Sequence, residues 1–199
     1  MEKNNSKLRV FEVFAGYGSQ RKALENLNIN YESVGISEID GDVILSYAAI
    51  HNNLENTPYP IISDEDMYSS LESINVPLHY KTFKNKARTI KGNKLKDLCN
   101  ANILSKNYGD INVIDPTSLP DFDFLTYSFP CQDISVAGYQ KGLDENSGTR
   151  SSLLWECCKI IKHKRPKYLL MENVKNLVGK NHIENFNLFL KYLEDLGYT

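Results

Sequence analysis

No stretch of this chain approaches the roughly 20 apolar residues needed to cross a bilayer, and its first residues, Met1-Glu2-Lys3-Asn4-Asn5, lack the apolar core of a secretion signal. The chain is therefore expected to be intracellular, in the cytoplasm, with no membrane partner. Cysteine is scarce: Cys99, Cys131, Cys157 and Cys158 form no CxxC pair and have no histidine at ligand spacing, which argues against a zinc site and a disulfide framework. Reduced thiols and no metal are expected. An excess of positive charge is missing too, with 23 Lys and Arg against 25 Asp and Glu for a formal net charge of -2. Such a chain does not coat nucleic acid unaided, so any grip on it is local or supplied elsewhere. Internal repeats and low-complexity linkers are absent, and 199 residues with 41% hydrophobic content read as one domain.

What is present begins with an apolar strand candidate at residues 8–14, which runs into Ala15-Gly16-Tyr17-Gly18-Ser19. Residues 20–28 follow with helical spacing at Ala23, Leu24 and Leu27. Strand, glycine turn and helix together let backbone approach a ligand and offer it the N–H groups of a helix start, although such a turn is often only a turn. A second strand candidate, residues 31–37, ends at Glu38-Ile39-Asp40. An acid about 20 positions beyond a glycine turn is the usual hydroxyl clamp for a ribose, and Glu38 fits it; an ordinary loop acid is the alternative. After a helical pattern at residues 42–51 the signal weakens, and Pro58, Pro60 and Pro77 interrupt residues 52–108. Residues 81–96 are basic with no acid among them, either a phosphate-tracking row or part of a solvated insertion with helical patches. Regular structure is expected to resume at Gly109-Asp110-Ile111.

The densest chemistry lies at Tyr127-Ser128-Phe129-Pro130-Cys131-Gln132, after the apolar run of residues 122–126. Proline has no N–H and a fixed φ, so Pro130 ends the ladder and pushes Cys131 into the loop beyond a sheet, where parallel sheets bind ligands. Another strand candidate, residues 167–171, closes on Glu172-Asn173-Val174. If the two strands are neighbours, their tips lie roughly 4.8 Å apart. A thiol and a carboxylate so placed could grip two positions of one small planar ring. Singly, each has a plainer reading: a buried small hydrophobe for the cysteine, a solvated loop acid for Glu172. Residues 132–150 form a Gly-rich loop of the length that is usually functional or disordered. A helix is expected from there to about residue 163, with Ser or Thr as cap. Residues 182–196 carry Ile183, Phe186, Phe189, Leu190 and Leu193 on one helix face.

Phe129-Pro130-Cys131-Gln132 taken with Met171-Glu172-Asn173-Val174 resembles the signature pair of the C5-cytosine methyltransferases, which methylate cytosine in DNA with S-adenosylmethionine. The resemblance runs from about residue 10 to the C-terminus, with residues 52–108 unmatched. It implies an α/β fold with a Rossmann-like, doubly wound methyltransferase sheet, truncated before its last strands. It places Phe14, Ala15, Gly16, Tyr17 and Gly18 under the methionine part of the cofactor. It gives Ile39 the apolar face against adenine, where the family often has an aromatic. Asp110 meets the adenine amino group, Ile111 covers the ring, and the Leu153 backbone and Trp155 lie beside the cofactor. S-adenosylhomocysteine is the implied product, and double-stranded DNA the implied partner.

The same resemblance implies a mechanism in which the Cys131 thiolate adds to C6 of a cytosine turned out of its helix. Glu172 supplies a proton or hydrogen bond at N3, Asn173 orients the acid or the ring, and the Pro130 region shapes the base pocket. The Gly-rich loop closes over the base. Some family parts are missing from the sequence: a Gln-x-Arg-x-Arg segment, a target recognition domain, and the segment that closes the cofactor pocket. The expectation is a fragment or one subunit of a split enzyme, of the restriction–modification kind, weak or inactive alone, whose missing region lies in a second chain or further along the polypeptide. A tRNA cytosine-5 methyltransferase, a catalytically silent regulatory paralogue and a nucleotide-binding oxidoreductase are the alternatives. The last is disfavoured because the glycine turn lacks the full GxGxxG form.

Overall fold

The computed structural model describes residues 6–79, 82, 84–129, 153–180 and 182–199. Its centre is a sheet of four strands: β1 (Leu8–Val13), β2 (Tyr31–Ser37), β3 (Phe124–Tyr127) and β4 (Tyr168–Met171). All pairings are parallel and the spatial order is β2-β1-β3-β4. The chain thus leaves β1 in one direction to build β2 and in the other to build β3 and β4. Because parallel crossovers are right-handed, that reversal puts α1 (Ser19–Asn26), between β1 and β2, on one face. The helix between β3 and β4, α5 (Leu153–Lys164), falls on the other. The sheet is doubly wound, as expected.

Alternation along β1 shows how the sequence divides the two faces. Phe11 and Val13 point into the main core with Leu125 and Tyr127 of β3, Leu154, Cys157, Ile160 and Ile161 of α5, and Phe189 of α6 (Ile183–Asp195). Glu12, between them, points to the opposite face and is fully buried, accepting a hydrogen bond from the Tyr47 hydroxyl of α2 (Gly41–His51). Burial pushes the Glu12 carboxyl up, and the Tyr47 bond only partly offsets this. At the far end of the sheet Arg9 clamps Asp123 at 3.0 Å and holds that carboxyl down to about 2.

Residues 52–108 are more organised than a solvated insertion. They carry α3 (Asp64–Ser73), capped by the Ser63 hydroxyl on the Asp66 N–H, and α4 (Asn93–Ser105). With Ile44 and Ala48 of α2, Met67, Tyr68 and Leu71 pack on Leu95, Leu98 and Cys99 to make a second apolar core. The basic stretch is partly used to hold this unit together. Arg88 bonds Glu65 at 2.7 Å and Glu72 at 2.8 Å, Lys91 reaches the Tyr68 hydroxyl, and Lys94 meets Asp42. These exposed pairs add little stability each, but they turn three cations of the row toward other side chains.

Between α4 and β3 the chain forms no regular strand, although regular structure was expected to resume at Gly109. Just before it, only Asn107 makes a ladder contact, a single parallel bridge to Ile36. Lys106 and Gly109 on either side have positive φ, 48° and 71°, which breaks an extended run. Cys131 therefore follows the third regular strand in sequence. Residues 111–113 form a 3-10 turn.

Candidate active site

The direction of chain winding reverses between β1 and β3, and in open parallel sheets the crevice beyond the carboxyl ends at such a point takes the ligand. β1 ends there in Phe14, whose φ of 55° is unusual for a bulky side chain. The N–H groups of Phe14 and Ala15 both donate to the Ser37 carbonyl, at 2.8 and 3.3 Å, which over-determines this turn. The two glycines beyond it do different work. A Cβ on Gly18 would meet His51 Nε2 at 2.3 Å and Tyr47 at 2.8 Å, so Gly18 lets the turn seat on α2. A Cβ on Gly16 would meet nothing nearer than the Phe14 carbonyl at 4.0 Å, so its backbone faces open space. Tyr17 is exposed beside it, and its carbonyl lies 3.0 Å from His51 Nε2.

Two carboxylates stand beside this turn: Glu38 just after β2, and Asp110 just after the bridge residue Asn107. Glu38 accepts from the N–H of Ile39 and Asp40 on one oxygen and from the N–H of Gly16 on the other, at 2.8, 3.0 and 3.0 Å. Burial nevertheless pushes its carboxyl up, more than these bonds pull it down. Asp110, nearly buried, accepts from the Asn112 N–H and side-chain amide on Oδ1 and from the Asn75 amide on Oδ2. A carboxylate has about four lone-pair positions, so each acid uses three on protein and keeps roughly one for a donor outside. Asn107 locks the two acids in relation to each other. Its amide replaces ladder bonds, accepting from the Glu38 and Gly109 N–H groups and donating to the Glu38 carbonyl, all at 3.0 Å. The Ser37 hydroxyl donates to the Gly109 carbonyl at 2.7 Å. Ile39 and Ile111 follow the two acids directly, and Ile111 is buried.

Gly109 is the tightest point of this frame. Its φ is 71° and a Cβ would lie 1.9 Å from the Ile74 carbonyl, the group that accepts from the Asp110 N–H at 3.0 Å. Gly109→Ala is therefore expected to cost more than about 2 kcal/mol and to lower the melting temperature by about 5 °C or more. Gly197, at φ 86° just past α6 with no atom within 4 Å of its Cβ, is the control. Gly197→Ala carries only the left-handed penalty of about 1 kcal/mol; equal losses at both positions would contradict the clash.

On the other side of the crevice, β3 and β4 are neighbours, with Tyr127 opposite Met171. The Glu172 N–H donates to the Tyr127 carbonyl at 3.3 Å, and the Glu172 side chain is exposed at the strand tip. Asn173 does something the sequence did not suggest: its Nδ2 donates to the Phe129 carbonyl at 2.9 Å, and its Oδ1 accepts from the Val174 N–H. It ties the end of β4 to the backbone immediately before Pro130. Gln20, near the start of α1, donates to the Ser128 hydroxyl at 3.0 Å and so joins the glycine turn's helix to the same segment. Pro130 and Cys131, and the Gly-rich loop after them, lie outside the described residues. Leu153 opens α5, while Trp155 lines a cavity of about 670 Å³ with Pro116, Lys162 and Tyr192, apart from Glu38 and Asp110.

The model of the C-5 cytosine-specific DNA methylase family matches residues 62–199, more than half of the chain. The chain belongs to this family. The matched part of this methylase chain includes most of residues 52–108, along with β3 and β4. Type II methyltransferase M2.ScrFI of Lactococcus lactis subsp. cremoris is 69% identical over 194 residues, covering 96% of this chain and 54% of that protein. Orphan methyltransferase M.SssI of Spiroplasma monobiae is 43% identical, covering 100% of this chain and 54% of its own length. The chain thus spans about half the length of these relatives. A crystal structure of S. pombe Dnmt2 methyltransferase overlaps 98% of this chain and 42% of its own at 19% identity, with a TM-score of 0.45.

Among the described residues of this methylase chain, no group of three or more His, Cys, Asp or Glu side chains is placed to hold a metal, and no helix is long and apolar enough to cross a membrane. Asn107, Asn75 and Asn173 are the site residues whose roles the sequence pattern did not reveal. Asn75 and Asn107 are isolated amides whose partners lie 35 and 69 positions away, so no local pattern marked them, whereas Asn173 was singled out beside Glu172 but without its bond to the Phe129 carbonyl, 44 positions away.

Proposed function

We propose that this chain is the donor-binding and nucleophile-bearing part of a DNA (cytosine-5) methyltransferase that uses S-adenosylmethionine. The parallel pairing of β3 with β4 carries this reading. It sets Glu172 beside Tyr127, and Cys131 follows Tyr127 by four residues at a winding reversal whose other wall is the glycine turn. The residues suit the donor. Open backbone at Gly16 admits its amino-acid part, the spare lone pair of Glu38 accepts from a ribose hydroxyl, and that of Asp110 from an adenine amino group. When bound, S-adenosylmethionine supplies an electrophilic methyl group.

Cytosine C5 is a poor nucleophile while the ring is aromatic. Addition of the Cys131 thiolate to C6, with a proton or hydrogen bond from Glu172 at N3, turns C5 into an enamine carbon able to take a methyl. A base then removes the C5 proton and the thiolate leaves, restoring the ring. The ring atoms are stacked in a duplex, so the base is turned out at a cost of a few kcal/mol. Of the four thiols, Cys131 is the one suited to this addition. Cys99, Cys157 and Cys158 are buried, and burial pushes the thiols of Cys99 and Cys157 up, away from reactivity.

The remaining parts of the enzyme come from further polypeptide. β4 pairs only with β3 among the described residues, which leaves an edge for more strands, and Tyr168 and Leu170 on one face of it are 59% and 44% exposed, a surface suited to a covering element. Labelled methyl transfer from S-adenosylmethionine by the full-length protein tests the function. Label is expected in duplex DNA, at cytosine C5, with little from these 199 residues alone. Label in tRNA and none in DNA would favour the RNA-acting alternative, and no transfer to either a silent paralogue.

A further inference from the structure

We infer that Asn75 is a positioning residue for recognition of the donor's adenine, so that the α3–α4 unit helps set donor affinity. The inference rests on the reading of Asp110 as the acceptor for the adenine amino group. Asn75 lies just after α3, within the long connection from β2 to β3 and outside the sheet itself, yet its Nδ2 donates to Asp110 Oδ2 at 2.9 Å. As cap of the 3-10 turn at residues 111–113, Asp110 needs only the Asn112 N–H, which with the Asn112 amide occupies Oδ1. The Asn75 bond does something further: it fixes the rotation of the carboxylate and fills one lone pair of Oδ2, leaving the other in a set direction.

Asn75 is itself firmly placed. Its φ is 57°, a left-handed conformation that asparagine tolerates, and its N–H donates to the Glu72 carbonyl at 3.0 Å. The preceding Ile74 carbonyl accepts from the Asp110 N–H, so side chain and backbone of this corner hold the same residue from two sides. An acceptor that is aimed distinguishes a ligand that donates, such as the 6-amino group of adenine, from a 6-oxo ligand that presents an acceptor there. Carboxylate facing carbonyl oxygen leaves both unpaired or repelling, so discrimination depends on alignment.

The test compares equilibrium binding of S-adenosylmethionine and its 6-oxo (inosine) analogue to the full-length protein. The proteins are wild type, Asn75→Gly, Asn75→Asp and Asp110→Ala, each with its melting temperature recorded. Glycine keeps the left-handed turn and removes the amide; aspartate keeps the size and puts an acceptor against Asp110. Both are expected to weaken S-adenosylmethionine binding about tenfold and to shrink the preference over the inosine analogue by a similar factor. Unchanged affinity and preference in a folded Asn75→Gly protein, with Asp110→Ala impaired, would overturn the role of Asn75 alone. An equal loss for both donors in either Asn75 variant would show mere structural support and also overturn it. If Asp110→Ala binds both donors as wild type does, the reading of Asp110 falls and the inference with it.

Discussion

Cys131→Ser in the full-length protein is expected to abolish methyl transfer to DNA while leaving S-adenosylmethionine binding within about twofold of wild type. The two halves of this result separate because the residues proposed to hold the donor, Gly16, Glu38 and Asp110, sit on the β1 and β2 side of the crevice, while Cys131 follows β3 in sequence. A hydroxyl is a far weaker nucleophile than a thiolate at neutral pH, and no adjacent base has been assigned to activate a serine. Without addition to C6 the ring keeps its aromaticity and C5 does not react. Residual transfer at more than a few per cent of wild type, with the donor site saturated, would mean that C5 is activated in another way. The other thiols do not take over, since Cys99 lies within α4, and Cys157 and Cys158 within α5, all buried.

Glu172→Gln is expected to lower kcat by about 10²- to 10⁴-fold, the range for loss of a general acid. Its effect on folding stability should stay within about 0.5 kcal/mol. The contrast follows from where the side chain is: exposed at the tip of β4, where the backbone N–H of Glu172 is joined to Tyr127 and its side chain has no bonded partner among the described residues. Glutamine keeps the shape and can still donate a hydrogen bond at N3, but it cannot transfer a proton. A loss in the upper part of the range signals proton transfer, and one in the lower part a hydrogen bond alone. Single-turnover rates with saturating donor and duplex, paired with melting curves, make the comparison. A large drop in melting temperature with an unchanged rate would reassign Glu172 to a structural role.

Much of the sheet was legible because each strand is an apolar run stopped by a chain-breaking turn. Tyr31–Ser37 has the expected limits, and Leu8–Val13, Phe124–Tyr127 and Tyr168–Met171 differ from expectation by one or two residues at an end. The position of Glu38 at the end of β2 was legible for the same reason, since distance along a βαβ unit translates into place in space. Residues 52–108 were not, because the apolar groups of α3 and α4 come in short clusters, Met67-Tyr68 with Leu71 and Leu95 with Leu98-Cys99, flanked by charge. Their periodicity emerges only when α2 supplies the third wall. That no strand forms around Gly109 was not legible for another reason: one asparagine side chain, Asn107, takes over the ladder bonds, and no strand-length pattern is needed. The frame behind Asp110 is likewise built from residues distant in sequence, where only the folded chain brings Asn75 and Ile74 to it.

Covalent trapping on a duplex carrying 5-fluorocytosine at the target position decides most directly whether the Cys131 thiol adds to the target pyrimidine. After methyl transfer to such a base C5 holds fluorine in place of the proton that elimination must remove, so the thioether to C6 persists. With the full-length protein and S-adenosylmethionine, a denaturant-stable protein–DNA adduct is expected, mapping to the peptide that contains Cys131 and absent from Cys131→Ser. An active protein that forms no adduct, or an adduct that maps to Cys99, Cys157 or Cys158, would contradict the assignment.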